Sequence, residues 1–372
     1  MKKSISREIL ISGGGTAGHL LPGIALAQAL VEREVVNKAE EIHFVGSKRG
    51  IERRLVPSAG FKLTQLPGDG IRREWSPKNI AAICSLFIGL LKALLLLLKR
   101  KPRIVISLGG FASVPCSLAA ITLRIPLLLM EQNAVAGLAN RVFARSAKAT
   151  VVAFDNTGLP RAVNLGNPVR NSFISDVTEK NRDDLRSELG VEDTPFLLVF
   201  GGSLGAQRIN EAVKELVESW DSESIVVHHV IGERDFNDSR FKASNPTARV
   251  DYRPVEYENN MARIMAAADL VISRAGATTV AEIAIVGVPS ILIPLPNAPG
   301  DHQTENAKAL YVKGGAIHLR NNDLDGNQLK NQVISLISEK NNLKRMAAAT
   351  KKQGRPNAAS EIAELVREYA RD

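Results

Sequence analysis

GGGTAGH, residues 13–19, follows the apolar run ILIS at 9–12 and precedes the helix-like stretch LLPGIALAQAL at 20–30. A second turn of the same kind, GGSLGA at 201–206, follows FLLVF at 196–200 and again precedes a helix-like segment. In a strand, glycine turn, helix arrangement, backbone N–H groups come close to an anion and the positive end of the helix dipole adds to the attraction. One such turn is ambiguous. Two of them, nearly half a chain apart, predict an α/β protein of two similar doubly wound domains facing a central cleft that holds two phosphorylated ligands.

A further pair of segments repeats the pattern. IVISLGGFASVPCSLAAITLRIPLLLMEQN at 104–133 and LVISRAGATTVAEIAIVGVPSILIPLP at 270–296 each run strand, serine, glycine turn, Ala-rich helix, proline and a second apolar strand. That is the α/β unit written twice. At 372 residues the chain exceeds what one core organises, and 45% hydrophobic with 23% charged residues is ordinary globular composition. Cys84 and Cys116 lie in apolar surroundings without metal-ligand spacing and read as reduced core residues of a cytosolic protein. The apolar segment near the N-terminus is too short for a signal-peptide core.

Basic residues outnumber acidic ones, 48 against 39, for a net charge of +9. Nucleic acid, an anionic membrane and a phosphorylated substrate are the partners such a balance suits. No RNA-binding signature or aromatic interleaving is present, so nucleic acid is not expected. The most apolar run, Ile80 to Leu98, contains Lys92 and is followed at once by the strand at 104. A spanning helix is therefore disfavoured. The expectation is a helix packed partly on the first domain. Its start, with Ile71, Arg72, Arg73, Trp75 and Lys78, offers an apolar patch ringed by positive charge to an anionic cytoplasmic membrane surface.

Gly13, Gly15 and Gly18 satisfy the dinucleotide fingerprint GxGxxG, which requires an acid about twenty positions on, at the end of the second strand. Here that strand, EIHFVG, is followed by Ser47, Lys48 and Arg49, so an NAD site lacks its ribose ligand. His19 closes the turn, with Pro22 expected to start the helix. A histidine at this place is positioned to act as a general base, although capping or packing would explain an isolated one. Asp323 and Asp325 form a DxD in a polar stretch, where Asp325 or a neighbour reads as a helix cap. No metal site is read from the sequence.

The ordered set GGGTAGH, SLGGF, EQN at 131–133, GNPVR at 166–170, GGSLGA, SRAGATTVAE at 273–282 and DHQTENA at 301–307 spans about 300 residues. It resembles the bacterial peptidoglycan N-acetylglucosaminyltransferases of glycosyltransferase family 28. The resemblance implies a GT-B fold of two Rossmann-like domains. It implies inverting transfer of GlcNAc from UDP-GlcNAc to the C4 hydroxyl of MurNAc in lipid I, giving lipid II and UDP. It implies an acceptor-binding, membrane-associating domain at 1–168, a donor domain at 169–351 and a C-terminal helix at 352–372 that returns to the first domain. No cofactor is implied, and cell-wall synthesis or division proteins are compatible partners. A different transferase or an epimerase on the same fold, and a non-catalytic nucleotide-sugar binding module, are the alternatives.

Residue by residue, the resemblance puts Arg170, Gly202 and Ser203 at the donor diphosphate. Ala277, Thr278 and Thr279 would lie at the nucleoside and phosphate, and Glu282 on the ribose hydroxyls. Gln303 and Asn306 would read the GlcNAc hydroxyls, and the Glu258 backbone would meet uracil. Gly14, Gly15, Gly109 and Gly110 are implied on the acceptor side. Thr16, Ala17, Gly18 and Asn133 are implied both there, facing the pyrophosphate and reacting sugars, and in the UDP-GlcNAc site. His19 is the implied base, with Glu131 the second choice. Phe111, Leu204 and the pair Tyr257 and Glu258 depart from the family pattern, and Leu204 puts in doubt a side-chain hydrogen bond from that position.

Overall fold

The computed structural model describes residues 8–48, 50–67, 77–155, 157–179, 181–202, 205–242 and 246–371, with the side chains of 77–84 and 176–179 outside the description. It divides into two compact units, one running to Arg170 and resuming at Arg355, the other Asn171–Gly354.

The first unit carries seven strands: β1 Ile9–Ser12, β2 Ile42–Ser47, β3 Lys62–Leu66, β4 Ile104–Ser107, β5 Leu127–Glu131, β6 Ala149–Val152 and β7 Ala162–Asn164. All are parallel, in the order β3-β2-β1-β4-β5-β6-β7. Helices on both faces bury the central strands completely, which is why β1, β4 and β5 read as unbroken apolar runs rather than alternating ones. The strand order changes direction across the sheet between β1 and β4, and ligands of such sheets bind beyond the carboxyl ends of the strands at that switch point. In register, Ser12 pairs with Ser107, so the two glycine turns that follow them leave the sheet at the same level.

The second unit carries β8 Phe196–Phe200, β9 Ile225–Val230, β10 Val250–Val255, β11 Leu270–Ser273, β12 Ser290–Leu292 and β13 Ala316–His318. Its order is β10-β9-β8-β11-β12-β13, again parallel throughout. Phe200 pairs with Ser273, so here too the first and fourth strands end together at the switch point. The segments 104–133 and 270–296 are the fourth strand, its helix and the fifth strand of their respective sheets. The repeat read in the sequence thus has a topological basis.

The helix Ala17–Glu32 begins five residues before Pro22, which lies inside it, so Pro22 does not start the helix as expected. Thr16, extended at φ −133° and ψ 157°, is the N-cap, and its carbonyl accepts from Leu20 N at 3.1 Å. Pro22 lacks the N–H that would reach the Gly18 carbonyl, so one bond between the first turn and the body of the helix is missing. His19 is carried on that turn.

The helix Pro77–Arg100 buries one face, through Gly89, Ala93 and Leu97 at four-residue spacing. Its opposite face exposes Phe87 (60%), Leu91 (46%), Leu95 (67%) and Leu98 (53%), flanked by Ile88. Among the described residues no helix is long and apolar enough to cross a membrane. Ile71, Arg72, Arg73 and Trp75 of the expected patch lie outside the described residues, as does the side chain of Lys78. The C-terminal helix Ala358–Tyr369 inserts Ile362, Ala363 and Val366 into the first unit's core. Arg371 N donates to the Arg103 carbonyl at 3.1 Å. Burying Ile362 and Val366 contributes about 1.5–3 kcal/mol apiece.

Candidate functional site

The turn after β1 is built around an acid from the next loop. Glu52, fully buried, accepts from Gly15 N at 2.9 Å, from Ser47 N at 2.7 Å and from Ser47 Oγ at 2.9 Å. A Cβ on Gly14, Gly46 or Gly50 would fall within 2.7 Å of that side chain, so three glycines make the space it occupies. A carboxylate this deep is tolerated only when its oxygens are fully hydrogen-bonded. Gly15 and Thr16 are exposed beside it, with Ala17, Gly18 and His19 half-buried. The first turn thus presents an open rim above an internal carboxylate.

His19 Nδ1 lies 2.9 Å from Gln132 Oε1, on the residue that follows β5. An amide oxygen is acceptor-only, so this contact suits the tautomer in which Nδ1 donates to Gln132. Gly110, at φ 72° after β4, has no side chain beside the ring: a Cβ there would lie 3.9 Å from Nε2. Gly109, buried at φ 82°, abuts Asn140.

Glu131 does not share His19's situation. Its carboxylate is 3% exposed and accepts from Asn133 N at 3.0 Å, Gly137 N at 2.8 Å and Asn140 Nδ2 at 2.9 Å. Those bonds fold the loop after β5 back on itself. The Glu131 oxygens thus shape the loop that presents Gln132 and Asn133.

In the second unit Gly202 and Gly205 hold positive φ, 112° and 84°, while Ser203 and Leu204 lie outside the described residues. A Cβ on Gly205 would meet the Ile231 carbonyl at 2.4 Å and Asp235 Oδ2 at 2.9 Å. Beneath the turn runs a buried chain of hydrogen bonds. Tyr252 Oη is 2.9 Å from His229 Nδ1, and His229 Nε2 is 3.1 Å from Asn210 Oδ1. Asn210 Nδ2 donates to the Ile231 carbonyl and to Asp235 Oδ2, both at 3.1 Å, and Arg234 clamps Asp235 through two nitrogens. Burial, with a smaller contribution from neighbouring His228, pushes His229 down to about 3. The imidazole is therefore neutral, its Nε2–H donates to Asn210, and Tyr252 donates to Nδ1.

The turn after β11 is tied from behind. Arg274 donates to the carbonyls of Ile293 and Pro294 and to Asn321 Oδ1 at 3.1, 3.0 and 2.8 Å, and burial brings it down to about 10. Asn306, fully buried, donates to the Ala275 carbonyl at 3.2 Å. That bond braces the turn from the interior. Gln303 Oε1 accepts from Leu295 N at 2.9 Å and leaves its amide N–H groups for other partners.

The helix Ala277–Val286 starts at Gly276 without a side-chain cap. Ala277 and Thr278 are buried and Thr279 half-buried in its first turn. Glu282 is 5% exposed, so it is not a solvated helix residue. Glu258 accepts from His228 Nε2 at 3.0 Å and from Asn260 N at 2.6 Å, so the side chain fixes its own loop. Burial lowers His228 even though Glu258 opposes the shift. Arg170 is the last residue of the first unit before the break in contacts. Asp325 caps the helix Gly326–Ser338 by accepting from Gln328 N at 2.7 Å, and no cluster of metal-ligating side chains occurs among the described residues.

Comparison with known proteins gives this geometry a family. Residues 9–152 match the glycosyltransferase family 28 N-terminal domain and 196–362 the corresponding C-terminal domain. The chain belongs to glycosyltransferase family 28. Two curated relatives are each named UDP-N-acetylglucosamine--N-acetylmuramyl-(pentapeptide) pyrophosphoryl-undecaprenol N-acetylglucosamine transferase. One, from Acetivibrio thermocellus, is 35% identical, covering 98% of this chain and 99% of the relative. The other, from Carboxydothermus hydrogenoformans, is 38% identical, covering 95% of each. The crystal structure of Acinetobacter baumannii MurG matches with a TM-score of 0.77 at 27% identity, over 97% of this chain and 99% of that one. A UDP-GlcNAc 2-epimerase from Neisseria meningitidis matches at 14% identity and TM-score 0.64, which speaks to fold alone. The two parallel sheets are those of the GT-B fold, and the chain is a glycosyltransferase.

Glu52, Gln132, Asn210, His229 and Arg274 were absent from the expected site of this family 28 enzyme. Two signals were available: Asn210 interrupts the otherwise apolar buried face of the helix Gln207–Glu218, and His229 sits on an apolar strand. Replacing Glu52 by Ala strands the N–H groups of Gly15 and Ser47, so the first unit should lose about 3–5 kcal/mol. Glu52→Gln, which keeps one acceptor oxygen, should fall between, and urea midpoints that leave Glu52→Ala within error of wild type would remove the carboxylate from this role.

The histidines set the acid limb of stability. Burial, then Arg100 and Lys62, bring His43 to about 4, and burial brings His229 to about 3, both below the ordinary 6.5. Above pH 6.5 neither state binds the proton. As pH falls through 6.5 toward those values the unfolded chain takes protons that the folded chain refuses, so stability declines, by up to about 1.4 kcal/mol per pH unit for His229 alone. Urea midpoints across that range should give a shallower slope for His229→Phe than for wild type, and parallel slopes would count against it.

Proposed function

We propose that this enzyme transfers GlcNAc from UDP-GlcNAc to the C4 hydroxyl of MurNAc in lipid I, forming lipid II and UDP with inversion at the sugar. The observation that carries the reading is His19 on the open rim after β1, with Nδ1 engaged by Gln132 and Nε2 left to accept a proton. Near full-length identity to transferases named for this reaction supports the substrate pair.

In this reading Nε2 takes the proton of the acceptor hydroxyl as its oxygen attacks the anomeric carbon of GlcNAc. The bond from that carbon to the diphosphate breaks, and UDP departs with the electron pair. The first unit holds the acceptor through the rim Gly14 to Gly18, Gly109, Gly110 and Asn133. The second unit holds the donor. Gly202, Ser203 and the uncapped first turn at Ala277, Thr278 and Thr279 face the diphosphate, where amides and helix dipoles stabilise the charge that develops on the leaving group. Arg170 adds a bidentate cation. Glu282 accepts from the ribose hydroxyls, the Glu258 backbone meets uracil, and the Gln303 amide reads GlcNAc.

The acceptor's lipid places the enzyme on an anionic cytoplasmic membrane surface. The exposed apolar stripe of Pro77–Arg100 supports this, together with exposed Leu138 and Val142 beside Arg141, Arg145 and Lys148. Both helices pack on Val114–Thr122. Ile71, Arg72, Arg73, Trp75 and Lys78 extend that patch in this proposal.

Transfer of labelled GlcNAc to a lipid I analogue in detergent should proceed with EDTA present and fall about 100-fold or more in His19→Ala, the scale of a lost general base. Wild-type enzyme that binds UDP-GlcNAc yet transfers nothing to lipid I would sink the assignment. On the membrane side, wild type should float with vesicles containing anionic lipid and release at high salt. The triple variant Phe87→Ser, Leu91→Ser, Leu95→Ser should stay in the dense fraction, and unchanged flotation would exclude this face.

A further inference from the structure

Gln132 lies immediately beyond β5, 2% exposed, with Oε1 2.9 Å from His19 Nδ1. Free imidazole in water favours the proton on Nε2, the tautomer that leaves Nε2 unable to act as a base. An acceptor fixed against Nδ1 reverses that preference. We propose that Gln132 is the positioning residue of His19: it holds the ring in the Nδ1–H tautomer so that Nε2 is the nitrogen that receives the acceptor's proton. This deepens the lipid I transferase reading and rests on it for the identity of the proton donor, while the tautomer itself is a property of the protein alone.

Three observations converge on the assignment. The backbone that carries Gln132 is held in place, because the residue follows directly on Glu131, whose carboxylate is pinned by Asn133 N, Gly137 N and Asn140 Nδ2. The neighbouring carboxylate is itself spent on those donors, so the partner offered to the ring is a neutral amide. It orients the imidazole without adding a negative charge to the place where an anionic acceptor must bind. Finally, glycine at 110 leaves the Nε2 edge without a side chain, since a Cβ there would lie 3.7 Å from Cδ2 and 3.9 Å from Nε2. One edge of the ring is held and the other is kept open.

The experiment is a pair of readouts on wild type, Gln132→Met and Gln132→Glu, with urea midpoints confirming that each variant is folded. Long-range nitrogen-proton correlation spectra of histidine-labelled protein, with His19 assigned by its loss in His19→Ala, should show the proton on Nδ1 in wild type and Gln132→Glu. In Gln132→Met it should move to Nε2. Transfer assays should give a kcat about 10- to 100-fold lower for Gln132→Met, with the KM for UDP-GlcNAc within about twofold, the split expected when only a transition-state interaction is lost. Gln132→Glu should recover most of that loss, and its carboxylate should shift the acid limb of the rate profile upward by favouring imidazolium.

Wild-type His19 with its proton on Nε2, or Gln132→Met with undiminished kcat, overturns the proposal. If Gln132→Met does not fold, the wild-type spectrum and the Gln132→Glu rate profile decide it. A wild-type enzyme inactive on lipid I overturns the function instead, and the spectra still report on the tautomer.

Discussion

A buried carboxylate beneath a glycine turn is the constraint on which both halves of this molecule depend. The turns after β1 and β8 are rich in glycine, and a loop of glycines has little of its own to hold it in one shape. In each unit the loop after the second strand supplies an acid from behind: Glu52 after β2, fully buried, and Asp235 after β9, 2% exposed. Glu52 takes Gly15 N–H directly, whereas Asp235 sits under Gly205 and takes the amide of Asn210 and the guanidinium of Arg234. The two solutions differ in atoms and share a topological place.

That shared place explains why the GxGxxG motif misleads here. In a dinucleotide fold the acid associated with the second strand points outward to a ribose. Here the corresponding acid comes five residues after Ser47, at the start of a short helix, and turns inward onto the glycines. The carboxylate that would have recognised an external ligand has become part of the loop. Three glycines around it, at 14, 46 and 50, are explained by its bulk rather than by phosphate approach. A glycine-rich motif is therefore ambiguous between admitting a ligand and admitting the protein's own side chain, and only the partner of each Cβ position separates the two.

The fold was readable because its determinants are local. Apolar runs of strand length, a glycine turn and an Ala-rich helix recur at fixed intervals, and each unit needs only neighbours to form. The site was legible where backbone carries the chemistry and obscure where burial decides it. His19, Gly110 and the first turn at Ala277 stand out by position in a motif. Glu131 and Asn306 share those motifs, but their side chains are engaged inside the protein, where Glu131 accepts three bonds and Asn306 braces a carbonyl. Residue type cannot distinguish a carboxylate that takes a substrate's proton from one that ties a loop, because hydrogen-bond demand is the same in both. Pro22 fails for a related reason. Its fixed φ suits the interior of a helix whose partner carbonyl, on Gly18, lies in the first turn, so the sequence signal for a start appears one turn late.

Charge is divided between two tasks in a way that follows from this architecture. The ligands proposed for both units are diphosphates, and the helices Ala17–Glu32 and Ala277–Val286 meet them with first turns that no side chain caps. Amides and dipoles supply a positive potential that is rigid and needs no flexible ammonium groups. The excess of basic residues is then free for the surface, and on the first unit Lys92, Arg141, Arg145 and Lys148 are exposed on the two helices and the turn that also expose Phe87, Leu95, Leu138 and Val142. An apolar face of that extent on a monomeric unit is costly in water unless something covers it. A surface both apolar and cationic matches the one partner that is both hydrocarbon and anionic, and a lipid-linked acceptor would arrive from that same phase. In the proposed reading the apolar stripe and the open rim beside His19 belong together: the first would place the unit where the substrate of the second is dissolved.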